Sequence, residues 1–227
     1  MRKRTFFDFY NKDYFRSEFR DLKSPRLLHH GSAYILKDIL KGKEVILDLG
    51  CGIGVLSNFL VERGGRVWGV DGSKYAISKA KKRYGRENLD FKVLDLEKEK
   101  LVFPNKFFDG IICVHVLEHL KNLDFVFKEI ERVLKNDGVA VFEVPNCGFG
   151  VRSLSLRFFY GLVFGRSDDK THRHSFTTVS LRELLEQYFP RVEIFTYPAF
   201  LIWLFSPWLA KRLSFSWGNN IFAVCKF

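Results

Sequence analysis

Three closely spaced glycines are the residues of this sequence with the clearest chemical potential. Gly50, Gly52 and Gly54 follow an apolar, β-prone run at 45–49 and precede a stretch with apolar residues at helical spacing. Glycine permits positive φ angles and lets a ligand approach the backbone, and the amides at a helix N-terminus point toward that ligand. The stretch therefore predicts a strand, a tight turn and a helix that bind a nucleotide-like cofactor.

An acidic residue beside the glycines distinguishes two classes of cofactor. Dinucleotide sites use Gly-x-Gly-x-x-Gly, with the pyrophosphate on the helix N-terminus. Here the spacing is Gly-x-Gly-x-Gly, and Asp48 lies two residues before the first glycine. Its carboxylate would repel a pyrophosphate but suits a ligand that carries an ammonium and a sulfonium group. This chemistry favours S-adenosylmethionine, and a glycine turn between core elements is the structural alternative.

The sequence Leu-Asp-Leu-Gly-Cys-Gly-Ile-Gly at 47–54 resembles the first motif of the class I methyltransferases. The resemblance covers about residues 44–195 and the last strand. It implies that this motif contacts S-adenosylmethionine through five residues, which are Asp48, Gly50, Cys51, Gly52 and Gly54.

Two further acids end predicted strands. Asp71, followed by Gly72, ends the second strand, where a carboxylate offers two acceptor oxygens to the two ribose hydroxyls. Asp95 ends the third strand, and the methyltransferase resemblance implies that it binds the adenine amino group, with the Leu96 amide beside it. A helix-capping role for Asp95 is the alternative.

The fourth strand ends at Val114 and leads into His-Val-Leu-Glu-His-Leu at 115–120. This segment resembles the Val-Leu-Glu-His segment of small-molecule methyltransferases, including the ubiquinone O-methyltransferase group. The resemblance implies that Val114 and His115 pass beside the methionine part of the cofactor. His115 and His119 lie four residues apart and could share a helical face, but two histidines without a third ligand do not make a metal site. We therefore expect no metal.

His172 and His174 are the candidate bases. Methyl transfer from a sulfonium to an oxygen is an in-line displacement in which a base helps to remove the hydroxyl proton, and histidine titrates in a suitable range. Both residues lie in a Thr-His segment that resembles the same methyltransferase group. A loop anchor, or a clamp for an anionic substrate together with Arg173, is the alternative.

Strands alternate with helices five times over the central part of the chain, which predicts an α/β fold. We expect a Rossmann-like, doubly wound, mostly parallel seven-stranded sheet with an antiparallel edge strand. The predicted domains are an N-terminal helical cap at 1–43 and a class I methyltransferase domain at 44–227. The domain carries insertions at 147–175 and 198–217, and the second insertion is apolar but shorter than the roughly 20 residues that span a bilayer.

Composition narrows the cellular setting. Four scattered cysteines without a Cys-x-x-Cys pair indicate reduced thiols and a cytoplasmic protein. The formal charge of +11 lies mainly on the flanks, because residues 44–151 hold 16 basic and 16 acidic side chains. Three roles remain open for the apolar insertion at 198–217: peripheral membrane or lipid contact, a homodimer contact, and core packing.

The predicted function is S-adenosylmethionine-dependent methyl transfer to an oxygen of a small or lipid-linked molecule. One rival is an RNA methyltransferase, suggested by the basic flanks. Nucleic acid is nevertheless disfavoured, because neither Asn-Pro-Pro-Tyr nor Pro-Cys follows the fourth strand. The other rival is a non-catalytic, cofactor-binding, membrane-associated subunit.

Overall fold

The computed structural model describes residue 33 and residues 35–62, 65–147, 171–197 and 220–227. Seven strands and four helices with defined bounds occur in this part of the chain. In chain order they are β1 (Val45–Leu49), α1 (Val55–Val61), β2 (Arg66–Asp71), α2 (Lys74–Tyr84), β3 (Leu89–Val93), β4 (Phe108–Val114), α3 (Leu123–Val133), β5 (Leu134–Pro145), α4 (Thr178–Leu185), β6 (Arg191–Tyr197) and β7 (Asn220–Lys226).

The strands form one sheet in the order β3-β2-β1-β4-β5-β7-β6. β1 to β5 pair in parallel, whereas β7 is antiparallel to both of its neighbours, β5 and β6. The strand order reverses between β1 and β4, and ligands of open α/β sheets bind outside the carboxyl ends of the strands at such a point. The predicted mostly parallel, seven-stranded Rossmann-like fold is confirmed, with the antiparallel strand one position inside the edge.

Two apolar clusters cover the faces of the sheet. Alternate residues of a strand point to opposite faces. Accordingly, Ile46 of β1 belongs to one cluster with Phe91, whereas Leu47 and Leu49 belong to the other. This double burial explains why β1 is nearly continuous in apolar residues, as is typical of a central parallel strand.

β5 begins earlier than the sequence predicts. Asn136-Asp137-Gly138 reads as a turn between a helix and a strand at 139–146, but α3 ends at Val133 and β5 starts directly at Leu134. The pairing with β4 shifts register between Phe108–Leu134 and Gly110–Val139. Asn136, Asp137 and Gly138 therefore form an irregularity within β5 instead of a turn before it.

Much of the predicted cap and of both insertions lies outside the described residues. Residues 1–32, 148–170 and 198–219 are in this group. Residues 33 and 35–39 are helical, and the helical cap as a whole stays a prediction. In the part of the chain that the structure describes, no helix has the length and apolar character needed to cross a membrane.

Candidate active site

The turn after β1 requires its glycines. Gly50, Gly52 and Gly54 all have positive φ angles, of 73°, 53° and 80°. A Cβ on Gly50 would overlap a methyl group of Val116, and one on Gly54 would lie 2.6 Å from the Phe91 ring. The turn is thus bent tightly, and the segment after β4 packs directly against its first glycine.

Backbone hydrogen bonds tie this turn to β2. The Gly50 and Cys51 amides both donate to the Val70 carbonyl, at 2.8 and 3.0 Å. Burial raises the pKa of the Cys51 thiol well above its ordinary value, and the negative charges of Asp48 and Asp71 raise it further. Cys51 is therefore a neutral lining residue rather than a nucleophile.

Asp71 joins the end of β2 to the glycine turn. One carboxylate oxygen accepts the Gly52 amide at 3.0 Å, and the other accepts the Ser73 amide at 2.7 Å, across the intervening Gly72. Burial raises the pKa of Asp71, and these two hydrogen bonds partly oppose the rise. Each oxygen keeps a second lone pair, so the carboxylate can still accept two hydroxyl groups of a ligand.

Asp48 lies beneath the turn and is 2% exposed. The Ser57 hydroxyl donates to its carboxylate at 2.5 Å. Burial raises the pKa of Asp48 to about 7 despite the Ser57 hydrogen bond, and the charge of Asp71 adds to the rise. A cationic ligand group beside this acid would favour its ionised form.

Asp95 makes contacts within the turn that follows it. One of its oxygens accepts the Glu97 amide at 3.0 Å, and the other pairs with the exposed Lys98 at 2.9 Å. The next residue, Leu96, packs into the apolar core. No helix begins at Asp95, since a turn follows it before β4, so Asp95 is not a helix cap, and binding of adenine by Asp95 and the Leu96 amide stays a prediction.

The fourth strand ends in a cluster that the sequence does not predict. His115, which follows the half-buried Val114, has a φ of 54°, unusual for a residue with a side chain. Its Nδ1 lies 3.4 Å from Glu118 Oε1 and its Nε2 lies 3.5 Å from Glu143 Oε1. The Asn220 side-chain amide donates to the same Glu143 oxygen at 2.6 Å. We call His115, Glu118 and Glu143 the imidazole–carboxylate cluster.

This cluster holds a charged histidine. Burial alone would lower the pKa of His115, but hydrogen bonds and attraction from Glu118 and Glu143 raise it to about 10. Both carboxylates are almost fully buried. The predicted helical face shared by His115 and His119 is wrong, because His119 ends a separate three-residue 3-10 turn, Leu117–His119.

A second group of side chains lies where the segment after β4 meets the segment before α4. Glu118, His119 and His172 bring one carboxylate oxygen and two ring nitrogens within 4.8 Å of one another. The Thr171 hydroxyl lies 3.0 Å from His119 Nδ1, and the rings of His119 and His172 are 4.8 Å apart. Such a set can pass a proton, and its donor types are also those that bind divalent cations.

The two candidate bases therefore differ in their surroundings. The backbone amides of Arg173 and His174 both donate to the Glu118 carbonyl, at 2.7 and 3.1 Å, and this fixes the loop on the turn after β4. The His172 ring faces His119. His174 Nε2 is buried without a hydrogen-bond partner among the described residues, and its ring lies 5.9 Å from Phe176. The structure brings His172, not His174, to an acidic side chain.

Residues 47–142 match the family model described as a methyltransferase domain. Over these residues the chain is similar to a methyltransferase domain. Curated relatives include the ubiquinone biosynthesis O-methyltransferase of Pelagibacter ubique, 36% identical over 103 residues, which are 44% of this chain and 42% of that protein. The protein of the same name from Coxiella burnetii is 36% identical over 117 residues, 51% of this chain and 50% of that protein. This chain thus matches half or less of the length of these relatives.

Solved structures share the fold of the methyltransferase domain. A protein of Pyrococcus horikoshii OT3 superposes with a TM-score of 0.67 at 23% identity, over 95% of this chain and 99% of that chain. A SAM-dependent methyltransferase of Archaeoglobus fulgidus gives 0.65 at 20% identity, over 96% and 100% of the two chains. At these identities the likeness concerns the architecture.

The residues at the carboxyl edge fit the cofactor of this class, S-adenosylmethionine. The glycine turn that borders this edge is held in one conformation, because a Cβ on Gly50 would overlap Val116. Asp71 offers two acceptor oxygens for a diol, and Asp48 offers an acidic group for a cation. Such acceptors would suit the hydroxyl groups of a ribose and the cationic amino acid part, and they would not suit a pyrophosphate.

Proposed function

We propose that this methyltransferase domain transfers the methyl group of S-adenosylmethionine to an oxygen of a small or lipid-linked molecule. The observation that carries the proposal is the Asp71 carboxylate, which is fixed by the Gly52 and Ser73 amides at the carboxyl edge of the sheet. An acid held this way offers both oxygens to a ribose diol, and the buried Asp48 beside the turn favours a cationic ligand group over a pyrophosphate. When bound, the cofactor supplies an electrophilic methyl group.

Different residues would perform different parts of the reaction. Asp71 would bind the ribose hydroxyls and Asp48 would bind the cationic amino acid part, so that the cofactor has one orientation. His172 would accept the proton of the acceptor hydroxyl. Its neighbours His119 and Glu118 would stabilise the resulting positive charge, because an adjacent carboxylate favours the protonated form of imidazole.

Two observations support an oxygen acceptor of this class. The proteins from Pelagibacter ubique and Coxiella burnetii are named as O-methyltransferases of ubiquinone biosynthesis, and their similarity covers 44% and 51% of this chain. A base beside the transfer edge, such as His172, suits a hydroxyl, whose proton must leave during transfer. The apolar segment at 198–217 suggests an acceptor with a lipid part.

Calorimetric titration tests the cofactor. The purified protein is titrated with S-adenosylmethionine, S-adenosylhomocysteine and NAD, and the same ligands are then applied to Asp71→Ala. We expect micromolar binding of the first two and at least tenfold weaker binding in the variant. Asp90→Ala, in β3 and away from the turn, is the matched control and should bind as the wild type does. Binding of NAD alone would contradict the proposal.

A screen with labelled methyl donor tests the acceptor. Lipid extract, quinone precursors, RNA and protein are offered in separate reactions with the wild type and with His172→Gln. We expect transfer to a lipid or phenolic hydroxyl, and slower transfer by the variant. Transfer to RNA alone would favour the nucleic-acid rival, and binding of the cofactor without transfer to any pool would favour a non-catalytic subunit.

A further inference from the structure

The imidazole–carboxylate cluster puts a fixed charge at the transfer edge of the sheet. Glu118 and Glu143 are 2% and 0% exposed, and each has an oxygen within 3.5 Å of a ring nitrogen of His115. Buried carboxylates are retained only where a cation or hydrogen bonds compensate for lost hydration. Asn220 supplies a hydrogen bond from β7 to Glu143 at 2.6 Å.

The cluster lies next to the glycine turn. Val116, directly after His115, occupies the space that a side chain on Gly50 would need. The His115 amide donates to the Glu143 carbonyl at 2.9 Å, which fastens this point of the chain to β5. The left-handed backbone of His115 costs energy, and such strain is concentrated at functional sites.

The charges of the cluster do not cancel. Two glutamates face a single imidazole, so the formal charges of the cluster sum to about −1 even with the ring protonated, which is the form that the raised pKa of His115 favours. Because the carboxylates are buried, water and salt screen this charge less than they would at the surface. A sulfonium ligand carries a positive charge that the corresponding thioether lacks.

We infer that the net charge of the His115, Glu118 and Glu143 cluster determines how strongly the site prefers the sulfonium cofactor over the thioether product. The inference rests on the proposed function, since it concerns the same cofactor. A more negative cluster favours the sulfonium, and a neutral cluster reduces the preference. Glu143 and Asn220, which lie on β5 and β7, thereby act on the cofactor through His115.

The test compares the dissociation constants of S-adenosylmethionine and S-adenosylhomocysteine by calorimetry in variants of different cluster charge. Glu143→Gln makes the cluster neutral and should lower the preference for the sulfonium by about five- to tenfold. His115→Asn makes the cluster more negative and should raise the preference by a similar factor. Asparagine is chosen because it tolerates the left-handed backbone.

The double variant separates charge from side-chain identity. His115→Asn combined with Glu143→Gln restores a net charge of about −1, so its preference should return close to that of the wild type. His115→Asn alone leaves two buried carboxylates without a cation and should be the least stable of these variants. Glu143→Gln and the double variant then still decide the outcome.

Asp109→Asn is the matched control, because it removes one carboxylate from the opposite end of β4. Asp109 pairs with Lys135 at 2.7 Å, and its loss should leave the ratio of the two dissociation constants unchanged. An unchanged ratio in Glu143→Gln, with both ligands still bound by the wild type, would overturn the inference. If the wild type binds neither ligand, the proposed function fails instead.

Discussion

The two halves of the carboxyl edge are built in different ways. On the cofactor side, Asp48, the glycine turn and Asp71 lie within 24 residues of one another and are joined largely by backbone amides. On the side of β4, β5 and β7, His115 and Asn220 are 105 residues apart and meet through charged and polar side chains. The first half depends on local backbone conformation, whereas the second depends on long-range electrostatic contacts.

This difference predicts different failures. A substitution in the glycine turn should distort the backbone and remove cofactor binding whatever the pH. A substitution in the imidazole–carboxylate cluster should alter the charge balance, so that its effect depends on pH. The predictions below are ordered by the size of the expected effect, and each tests one side of the comparison.

Gly50→Ala should have the largest effect. The new methyl group overlaps Val116, and the φ of 73° is unfavourable for alanine. Left-handed strain and overpacking together should lower the free energy of unfolding by about 2–4 kcal/mol, measured by urea denaturation. Binding of S-adenosylhomocysteine should be lost as well.

Gly42→Ala is the control for this change. Gly42 has a φ of 79°, but a Cβ there would meet nothing within 4 Å. Only the backbone strain of about 1–2 kcal/mol should remain, and cofactor binding should persist. Equal losses in the two variants would contradict the close packing of Val116 on the turn.

The same difference explains how much the sequence could predict. The order of strands and helices, the glycine turn and Asp71 follow from short-range patterns, because neighbouring residues both form and join these features. The contact between Glu143 and Asn220 does not follow from such patterns, since the two residues are 77 positions apart and lie in strands whose other residues are mostly apolar. A lone acid in the run 139–145 was the one available signal, because a buried carboxylate needs a partner.

The candidate bases show the same limit. His172 and His174 both satisfy the sequence argument, because they are histidines of the same loop. Only the fold distinguishes them, by bringing His172 to His119 while Arg173 and His174 donate their amides to the Glu118 carbonyl. The group of Glu118, His119 and His172 could not be predicted, because its third member lies more than fifty residues along the chain.

Asp48→Asn should stabilise the protein without ligand at about pH 8. The pKa of Asp48 in the folded state, about 7, lies above the ordinary 3.8, so folding favours the protonated acid. Stability is therefore lost as the pH rises from about 4 to about 7, and asparagine avoids this loss. The gain should be about 1–3 kcal/mol at pH 8 and should vanish near pH 4, measured by urea denaturation at both values.

Cofactor binding should change in the opposite direction. Asp48→Asn removes the negative charge near the cationic ligand group, so binding of S-adenosylmethionine should weaken although the fold is more stable. Ser57→Ala, which deletes the hydrogen-bond donor but keeps the acid, is the matched control and should not stabilise the protein. A variant that is less stable at pH 8 would show that the buried acid is compensated in the free protein.

His115→Gln tests the electrostatic side of the comparison. The folded pKa of His115, about 10, lies above the ordinary 6.5, so its contribution to stability is complete below pH 6.5 and is lost as the pH rises toward 10. The side chain is one-third exposed, so the expected loss is only about 1–2 kcal/mol at pH 6. The difference from wild type should shrink between about pH 6.5 and pH 10. Lys98→Gln, an exposed pair with Asp95, should show no such change below pH 9.

Thr171→Val should have the smallest effect, and it tests whether the side of β4, β5 and β7 is held by many weak contacts. The variant keeps the shape of threonine but loses the contact between its hydroxyl and His119 Nδ1, which is 3.0 Å long. A single hydrogen bond contributes about 0.5–1.5 kcal/mol, so global stability should fall only slightly. The Arg173 and His174 amides should nevertheless exchange with solvent several times faster, measured by hydrogen exchange, because they bind the same turn.

Thr178→Val, in the first turn of α4, is the control and should leave the exchange of the Arg173 and His174 amides unchanged. Unchanged exchange in Thr171→Val would mean that the two amide bonds to Glu118 hold the loop by themselves, and the contrast with the backbone-built cofactor side would then be smaller than the charges suggest.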